Sequence, residues 1–411
     1  MFQFFHSLSS DNMTTLISSL FWIGLLIIFY TYIGYGLIIH LLSKIKSPRE
    51  PVIQVPDNDL PEVTLLVAAY NEEQCIGKKI VNTLNLDYPK DKLSIFFVTD
   101  GSTDNTPGIV KKFHAVKLFH DFQRKGKIHA VNRVMKFVIT PIVVFSDANT
   151  LLNASAIKSL VKHYQDPRVG GVAGEKRIYK NSEDNASGSG EGFYWKYESF
   201  LKKKDAMVYS IVGAAGELFS IRTALYEEPG ENTIIEDFVL SMRICAKGYR
   251  FMYEPDAYAM ETASASVSEE WKRKVRICAG GFQAMTRLMP LLNPFRYGIL
   301  SFQYISHRVL RWTLAPMSLP VILLANFWLA LTGHPLYILV LAAQTTFYLL
   351  ALVGYLLRNK KFFIKGLFIP YYFMVMNFSV YAGFLRFING KQSAIWEKAE
   401  RASIAPQSIK S

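Results

Sequence analysis

Cysteine is scarce in this 411-residue chain. Cys75, Cys245 and Cys278 are odd in number and far apart, which excludes a disulfide framework and a CxxC zinc site and fits a reducing, cytosolic setting. Charge is also sparse. Only 19% of residues are charged while 50% are hydrophobic, too apolar a balance for an ordinary soluble domain and too polar for a bundle of membrane helices alone. Acid is the rarer sign: 33 Asp and Glu stand against 46 Lys and Arg, and the net charge of +13 points to an anionic partner such as nucleic acid, anionic lipid or a phosphorylated substrate. There is no internal repeat and no long low-complexity tract, and disorder is excluded as the main state.

Long apolar runs are present. Leu16 to Leu42 contains no Lys, Arg, Asp or Glu and exceeds the roughly 20 residues that cross a bilayer, so it is expected to span. A cleaved signal peptide is the competing reading; the preceding MFQFFHSLSSDNMTT has no Lys or Arg and the apolar core is too long, which favours an anchor. Lys44, Lys46 and Arg49 follow directly, so the positive-inside rule places the N-terminus outside and the next region in the cytoplasm. Two more charge-free runs, Thr313 to Thr332 and Pro335 to Leu357, are joined by Gly333 and His334 and predict a membrane hairpin, returned to the cytoplasm by RNKKFFIK. Gly366 to Phe387 is interrupted by Pro370, Asn377 and Ser379 and followed by a basic tail, which favours an interfacial helix over a fourth span. Residues 290–312 mix Arg296, His307, Arg308 and Arg311 with aromatics, another interfacial signature. The expected organisation is an anchor over 1–50, a cytosolic domain over 51–289, an interfacial helix over 290–312, a hairpin over 313–357 and a basic loop, helix and tail over 358–411.

The 51–289 region alternates short β-rich runs with amphipathic stretches, the pattern of a doubly wound α/β sheet. Strands are expected at Val63–Ala69, Ser94–Thr99, Ala115–Phe119, Ile142–Ser146 and Val169–Ala173, with helices at Glu72–Leu84, Thr103–Phe113 and Lys127–Val138. Asn181 to Gly192, NSEDNASGSGEG, is expected to be a mobile loop or lid. Ligands of open α/β sheets bind at the carboxyl ends of strands. Three strands end in candidate chemistry: Tyr70, Asn71 and Glu72 after the first, Asp100 after the second, and Asp147 and Asn149 after the fourth. Each acid alone reads equally well as a turn or cap residue, and it is their convergence on one edge that marks a site. Asp147 and Asn149 are spaced to offer oxygens to Mg²⁺ or Mn²⁺, which takes few protein carboxylates and completes its shell with phosphate and water. In the basic segment Lys111–Lys136, Arg124 and Lys127 precede or open a helix, where amides and dipole favour phosphate.

Further on, Gly213 to Gly216 admits close backbone approach by a substrate or serves a tight packing turn. Thr233 and Glu236 have capping-box spacing, which leaves Asp237 in the first turn, able to accept the proton of an incoming hydroxyl. Arg276 is a candidate diphosphate contact within Trp271–Arg276, whose lysines suit lipid headgroups.

Together these motifs resemble the processive-type family 2 membrane glycosyltransferases, the group of cellulose, chitin, hyaluronan and poly-N-acetylglucosamine synthases. VTLLVAAYNEE resembles their opening nucleotide-binding strand, VTDGSTDNT their DDGS segment with Thr99 at the first Asp, and RKGKIHAVN their R-x-G-K-x-x-A-x-N stretch. FSDANT stands at D-x-D with Asn149 at the second acid, IIEDF at T-E-D, and RKVRICAGGFQ at Q-x-x-R-W-x-x-x-G-x-x-Q through Arg276, Gly280 and Gln283, with Arg273 and Ile277 at the Gln and Trp. The resemblance covers nearly the whole chain and implies a GT-A domain with transmembrane and interfacial helices.

It also implies roles. Tyr70, Glu72 and Asp100 would hold the nucleoside, Arg124, Lys127, Asp147 and Arg276 the rest of the nucleotide sugar, and Asp147 with Asn149 the cation. Asp237, with Glu236 beside it, would be catalytic, and Gly213, Gly216 and Gln283 would meet the acceptor. The expected partners are a nucleotide sugar of the UDP-sugar type, a polysaccharide or lipid acceptor, the cell membrane, and a small membrane subunit or second copy to complete a secretion channel. Nucleic acid is not expected, because the basic residues do not line one groove-reading helix.

Overall fold

The computed structural model describes residues 2–46, 55–179, 186–262, 267–357 and 365–390. The first apolar run is continuous helix: α1 (Phe2–Phe29), a π-helical turn (Tyr30–Gly34) and α2 (Tyr35–Ile45). There follow β1 (Val63–Ala69), α3 (Ile76–Leu84), β2 (Leu93–Asp100), α4 (Thr106–Lys111), β3 (Lys117–Asp121), α5 (Lys127–Met135) and β4 (Ile142–Asp147). The second half of the domain is β5 (Leu151–Leu152), α6 (Ala156–Val161), β6 (Val169–Ile178), α7 (Ala186–Val208), β7 (Leu218–Arg222), α8 (Glu236–Ala246), β8 (Arg250–Glu261) and α9 (Val267–Arg287). Short helices α10 (Pro294–Tyr297), α11 (Ile299–Tyr304) and α12 (Leu310–Trp312) lead into α13 (Leu314–Ala330), α14 (Pro335–Leu357) and α15 (Lys365–Ile388).

The strands form one sheet in the order β3-β2-β1-β4-β7-β6-β8-β5. The α/β expectation holds, and β1 to β4 are mutually parallel. The sheet as a whole is mixed, because β7 runs antiparallel to both β4 and β6. β3 starts two residues later than the sequence suggested, since residues 113–116 close a turn through the Val116 N–H and Phe113 carbonyl, 3.3 Å. Helix α4 begins at Thr106 and not Thr103, where the Asp104 carboxylate accepts from the Thr106 N–H at 3.0 Å. Alternate strand residues feed two cores: Leu65, Val67, Phe97 and Val144 pack with α3 and α6, while Leu66, Val98, Val143 and Phe145 pack with α5 and α8. The second core continues into Tyr304 and Trp312, so the α/β domain and the segment before the apolar hairpin share one interior.

Among the described residues three helices are long and apolar enough to cross a membrane: Asn12–Ile45, Pro335–Leu357 and Leu367–Ile388. Helix α13, one arm of the expected hairpin, has 17 residues and reaches that measure only together with Ile299–Trp312, from which it is bent by 50°. The break falls at Thr313. Pro316 has no N–H to give and its ring would strike the carbonyl four residues earlier, at Trp312, so a straight helix cannot pass. The polar residues that suggested an exposed face on 366–387 are satisfied inside: Asn377 accepts from the Tyr32 hydroxyl at 2.8 Å and the Ser379 hydroxyl donates to the Val375 carbonyl at 2.9 Å. Of the expected lid, 181–185 lie outside the described residues and Ala186 to Gly192 are helical, the first turns of α7.

Helix α7 ties the halves together. Its Asp205 accepts from the Tyr35 hydroxyl of α2 and sits 2.6 Å from His307 Nδ1, and its Glu198 pairs with Arg308 and, at 3.4 Å, Arg311.

Candidate active site

The carboxyl edge of the parallel strands is stitched together by its own loops. Asn71 takes a left-handed backbone, φ 53°, and its side-chain oxygen accepts from the Thr103 N–H at 2.8 Å, so the turns after β1 and β2 hold each other. Asp100, at the end of β2, accepts from the Lys125 and Gly126 amides at 3.0 and 2.6 Å. This clasp requires glycine next door: Gly101 has φ +63°, and a Cβ there would lie 2.5 Å from that of Arg124. The Arg124 guanidinium in turn lies 4.0 Å over the Tyr70 ring. Tyr70, Asp100 and Arg124 thereby line one small pocket.

Lys127 connects that pocket to a much larger cavity of about 630 Å³, whose walls include Glu72, Asp147, Asn149, Gly216, Glu236, Asp237 and Arg276. The Lys127 ammonium, at the start of α5, lies 2.8 Å from Asp147 Oδ1 and 3.0 Å from Glu236 Oε1. Burial disfavours that charge, but the two carboxylates outweigh it and hold the lysine above its ordinary range. Beneath Asp147 the buried Lys79 donates to the Ser146 hydroxyl at 2.8 Å and the Thr150 carbonyl at 2.9 Å, fixing both ends of the Asp147–Asn149 turn.

The capping-box reading of Glu236 is not what forms. The Thr233 hydroxyl bonds the Gly230 carbonyl and no side chain caps α8, so Glu236 is released to the cavity, where it meets Lys127. Asp237 beside it is raised to about 7, first by burial and then by the Glu236 charge, with Lys127 acting against both. A carboxyl poised there exchanges a proton with a hydroxyl near neutral pH. Burial lowers the Arg276 guanidinium, and Glu236, Asp237 and Asp147 face it electrostatically. One cavity thus holds a carboxyl able to exchange a proton near neutral pH, two cations suited to an oxyanion, and the oxygen-bearing side chains of Asp147 and Asn149.

Two expected acceptor residues lie elsewhere. Gly213, φ +86°, packs on Phe238, whose ring carbon would be 2.0 Å from a Cβ, and it is absent from the cavity wall; its role is packing. Gln283 accepts from the Ile234 N–H at 3.0 Å and donates to the Asn232 carbonyl at 2.8 Å, bracing the loop ahead of Glu236 from outside the cavity. Gly216 does face inward, with Asp237 Oδ2 and Lys127 Nζ each 3.4 Å from where a Cβ would stand. The opposite wall was not foreseen from sequence: Tyr194, Trp195, Glu198 and Lys202 of α7 line it. The one available signal was helical spacing, since Trp195, Glu198 and Lys202 fall on one face of α7.

Residues 64–228 match the family Glycosyl transferase family 2. The chain carries a glycosyl transferase family 2 domain. The matched span contains Asp100, Arg124, Lys127 and Asp147 and ends before Glu236 and Asp237. This transferase domain has curated relatives in the poly-beta-1,6-N-acetyl-D-glucosamine synthases of Staphylococcus aureus (strain COL), 28% identical over 249 residues, and Staphylococcus epidermidis, 25% identical over 252 residues. The match covers 58% of this chain in each case, and the chain spans 58% and 59% of the length of those relatives. The mannosyltransferase PcManGT from Pyrobaculum calidifontis, solved with GDP-Man and Mn²⁺, superposes with a TM-score of 0.67 at 23% identity, over 90% of this chain and 99% of that one. That likeness establishes the GT-A fold.

Proposed function

We propose that the protein is an inverting membrane glycosyltransferase that moves a sugar from a nucleotide sugar, a UDP-sugar, to the end of a growing cell-surface polysaccharide. The observation that carries this is the meeting of Asp237, Glu236, Lys127, Asp147 and Arg276 in one cavity at the carboxyl edge of the sheet. In this reading Tyr70, Glu72, Asp100 and Arg124 hold the nucleoside end, and Lys127 and Arg276 face the diphosphate. Asp237 takes the proton from the acceptor hydroxyl as that oxygen attacks the anomeric carbon. The bond to the diphosphate breaks with its electron pair leaving on phosphate oxygen, whose charge Lys127 and Arg276 stabilise. A single displacement inverts the centre, so an α-linked donor gives a β-linkage.

The donor set fits a hard cation. Asp147 and Asn149 present oxygens at the end of β4, while no group of three or more His, Cys, Asp or Glu among the described residues forms a metal cage by itself. An ion of the Mg²⁺ or Mn²⁺ type is content with one or two protein oxygens plus phosphate and water. Held by Asp147 and Asn149, it would neutralise charge on the departing diphosphate.

The membrane assignment follows the basic flanks. Lys44 and Lys46 after the first span, and the Arg358–Lys365 run after α14, place the catalytic domain and that loop in the cytoplasm of a cell whose plasma or inner membrane holds the apolar helices, with the N-terminus outside. We take α15 as a helix at the cytoplasmic interface, since it starts at the Arg358–Lys365 loop and Arg386 in its last turn lines the cavity of the catalytic domain. With so few spans, a small membrane subunit or a second copy would complete any export path.

The second reading, transfer of one sugar to a lipid, is favoured by the cavity wall itself, which includes Trp312 and Arg386 from the membrane-side segments. Purified protein in lipid nanodiscs, given Mg²⁺ or Mn²⁺ and a panel of UDP-sugars, separates these: long chains from one donor support the polymerase, release of UDP only with added lipid supports single transfer, and turnover that survives EDTA removes the cation.

A further inference from the structure

We infer that Lys202 and Trp195 form a second subsite of the cavity, one that holds an oxyanion, carboxylate or phosphate, carried by the sugar acceptor. The inference rests on the transferase reading and adds the chemical class of the acceptor. Lys202 is 4% exposed, yet it lines the cavity. It makes no hydrogen bond and no ion pair to any described residue; its recorded contact is the Trp195 ring, 5.9 Å from its ammonium. A buried charge of that kind is costly without a partner.

Two neighbouring lysines sharpen the point. Lys176 and Lys274 also approach the Trp195 ring, at 4.9 and 5.8 Å, so three ammonium groups converge on one indole. The other two are neutralised within the protein: Lys176 by Glu217 at 2.8 Å and Glu261 at 2.6 Å, Lys274 by Glu270 at 3.5 Å. Lys202 alone of the three is left to the cavity. Burial lowers its pKa; the Glu198 charge opposes this, Arg308 adds to the depression, and Glu217 and Asp237 oppose it more weakly. An anion beside it would reverse that shift and supply the missing bond, while the indole offers a flat apolar face to a sugar ring.

The place of Lys202 in the fold assigns it to the acceptor and not the donor. Cations for the donor diphosphate are already present in the cavity wall in Lys127, at the start of α5, and Arg276 of α9. Lys202 belongs to α7, between Glu198 and Asp205, the two acids that tie this helix to Arg308, His307 and Tyr35 of the membrane-side segments. Asp237, the proposed base, lines the same cavity as Lys127 and Lys202, so an acceptor whose hydroxyl meets Asp237 has the α7 wall within the same enclosure.

The test compares wild type, Lys202→Met and Lys202→Arg in phosphatidylcholine nanodiscs with the active UDP-sugar. Three acceptors are titrated: a short-chain polyprenyl phosphate, a glucuronate-ended oligosaccharide and a neutral oligosaccharide of the same length. The expected result is an acceptor KM raised about 10- to 100-fold by Lys202→Met for an anionic acceptor. Donor KM stays within about twofold, and Lys202→Arg recovers most of the loss. Whichever anionic arm shows the effect identifies the source of the oxyanion. The proposal is overturned if wild type uses only the neutral acceptor, if Lys202→Met raises donor KM, or if it affects charged and neutral acceptors alike. Absence of donor turnover in wild type with every acceptor overturns the transferase reading beneath it, and the subsite with it.

Discussion

The two walls of the cavity are built by different means. On the sheet wall, Asp147 and Lys127 sit at a strand end and a helix start, and Asp100 of the adjoining small pocket is clasped by loop amides, so the partners come from neighbouring strand–loop units. On the other wall, Glu198 and Lys202 lie within α7 with Asp205 in its last turn behind them, and the groups that meet the two acids come from α2 and the segment around residue 308. The first wall is arranged for chemistry and the second for joining domain to membrane segments, so substitutions on the two should fail in different ways.

The largest effect is expected on the chemical wall. Asp237→Asn keeps the shape and removes the base, and transfer should fall about 10²- to 10⁴-fold with the unfolding temperature nearly unchanged, read by radiolabelled-sugar transfer and by nanodisc thermal melts. Glu198→Ala should do the reverse. It strands the Arg308 and Arg311 charges in the interior, which costs about 3–5 kcal/mol of stability, so the melt drops before any defect in donor affinity is seen. A melt as robust as wild type would show that α7 is not the tie described here. Next in size, Arg276→Met removes one cation facing the leaving diphosphate; kcat should fall about 10²-fold with smaller change in acceptor KM.

The sheet wall was readable because its chemistry follows strands. Three of the five expected β-rich runs ended in the acid or amide that the fold then placed at the edge, and their strands β1, β2 and β4 formed within a residue or two of expectation. What could not be read depended on contacts distant in sequence. β7 is a five-residue strand whose reversal is set by neighbours β4 and β6, and β8 was not marked at all. Gly213 and Gln283 carried the right residue types but face Phe238 and the 232–234 loop. Lys202 looks the same in sequence as Lys203 and Lys204; only the folded structure, which buries Lys202 in the cavity wall beside Trp195 of its own helix, distinguishes it. The capping alternative for Glu236 rested on local spacing alone, and the ion pair it makes instead, with Lys127 more than a hundred residues earlier, could not be read from that spacing.

The smallest expected effect is a shift in pH dependence. As the proposed base, Asp237 would act only after losing its proton, so with its pKa raised to about 7 the rate should rise with pH up to that point and level above it. Glu236 is the second cause of that rise, after burial and ahead of Glu217, so Glu236→Gln should move the midpoint to lower pH. Midpoint shift and rate can be followed in the same stopped-assay series. A midpoint that stays in place would mean that burial and Glu217 set the value without Glu236.

The pH profile of single-turnover transfer in wild type and Asp237→Asn, at saturating donor, tests the base assignment most directly. The account predicts a wild-type rate that climbs about tenfold per pH unit below a midpoint near 7, and a slow Asp237→Asn rate with no such climb. The same midpoint persisting in Asp237→Asn, or transfer at the wild-type rate, would place the base elsewhere in the cavity and contradict it.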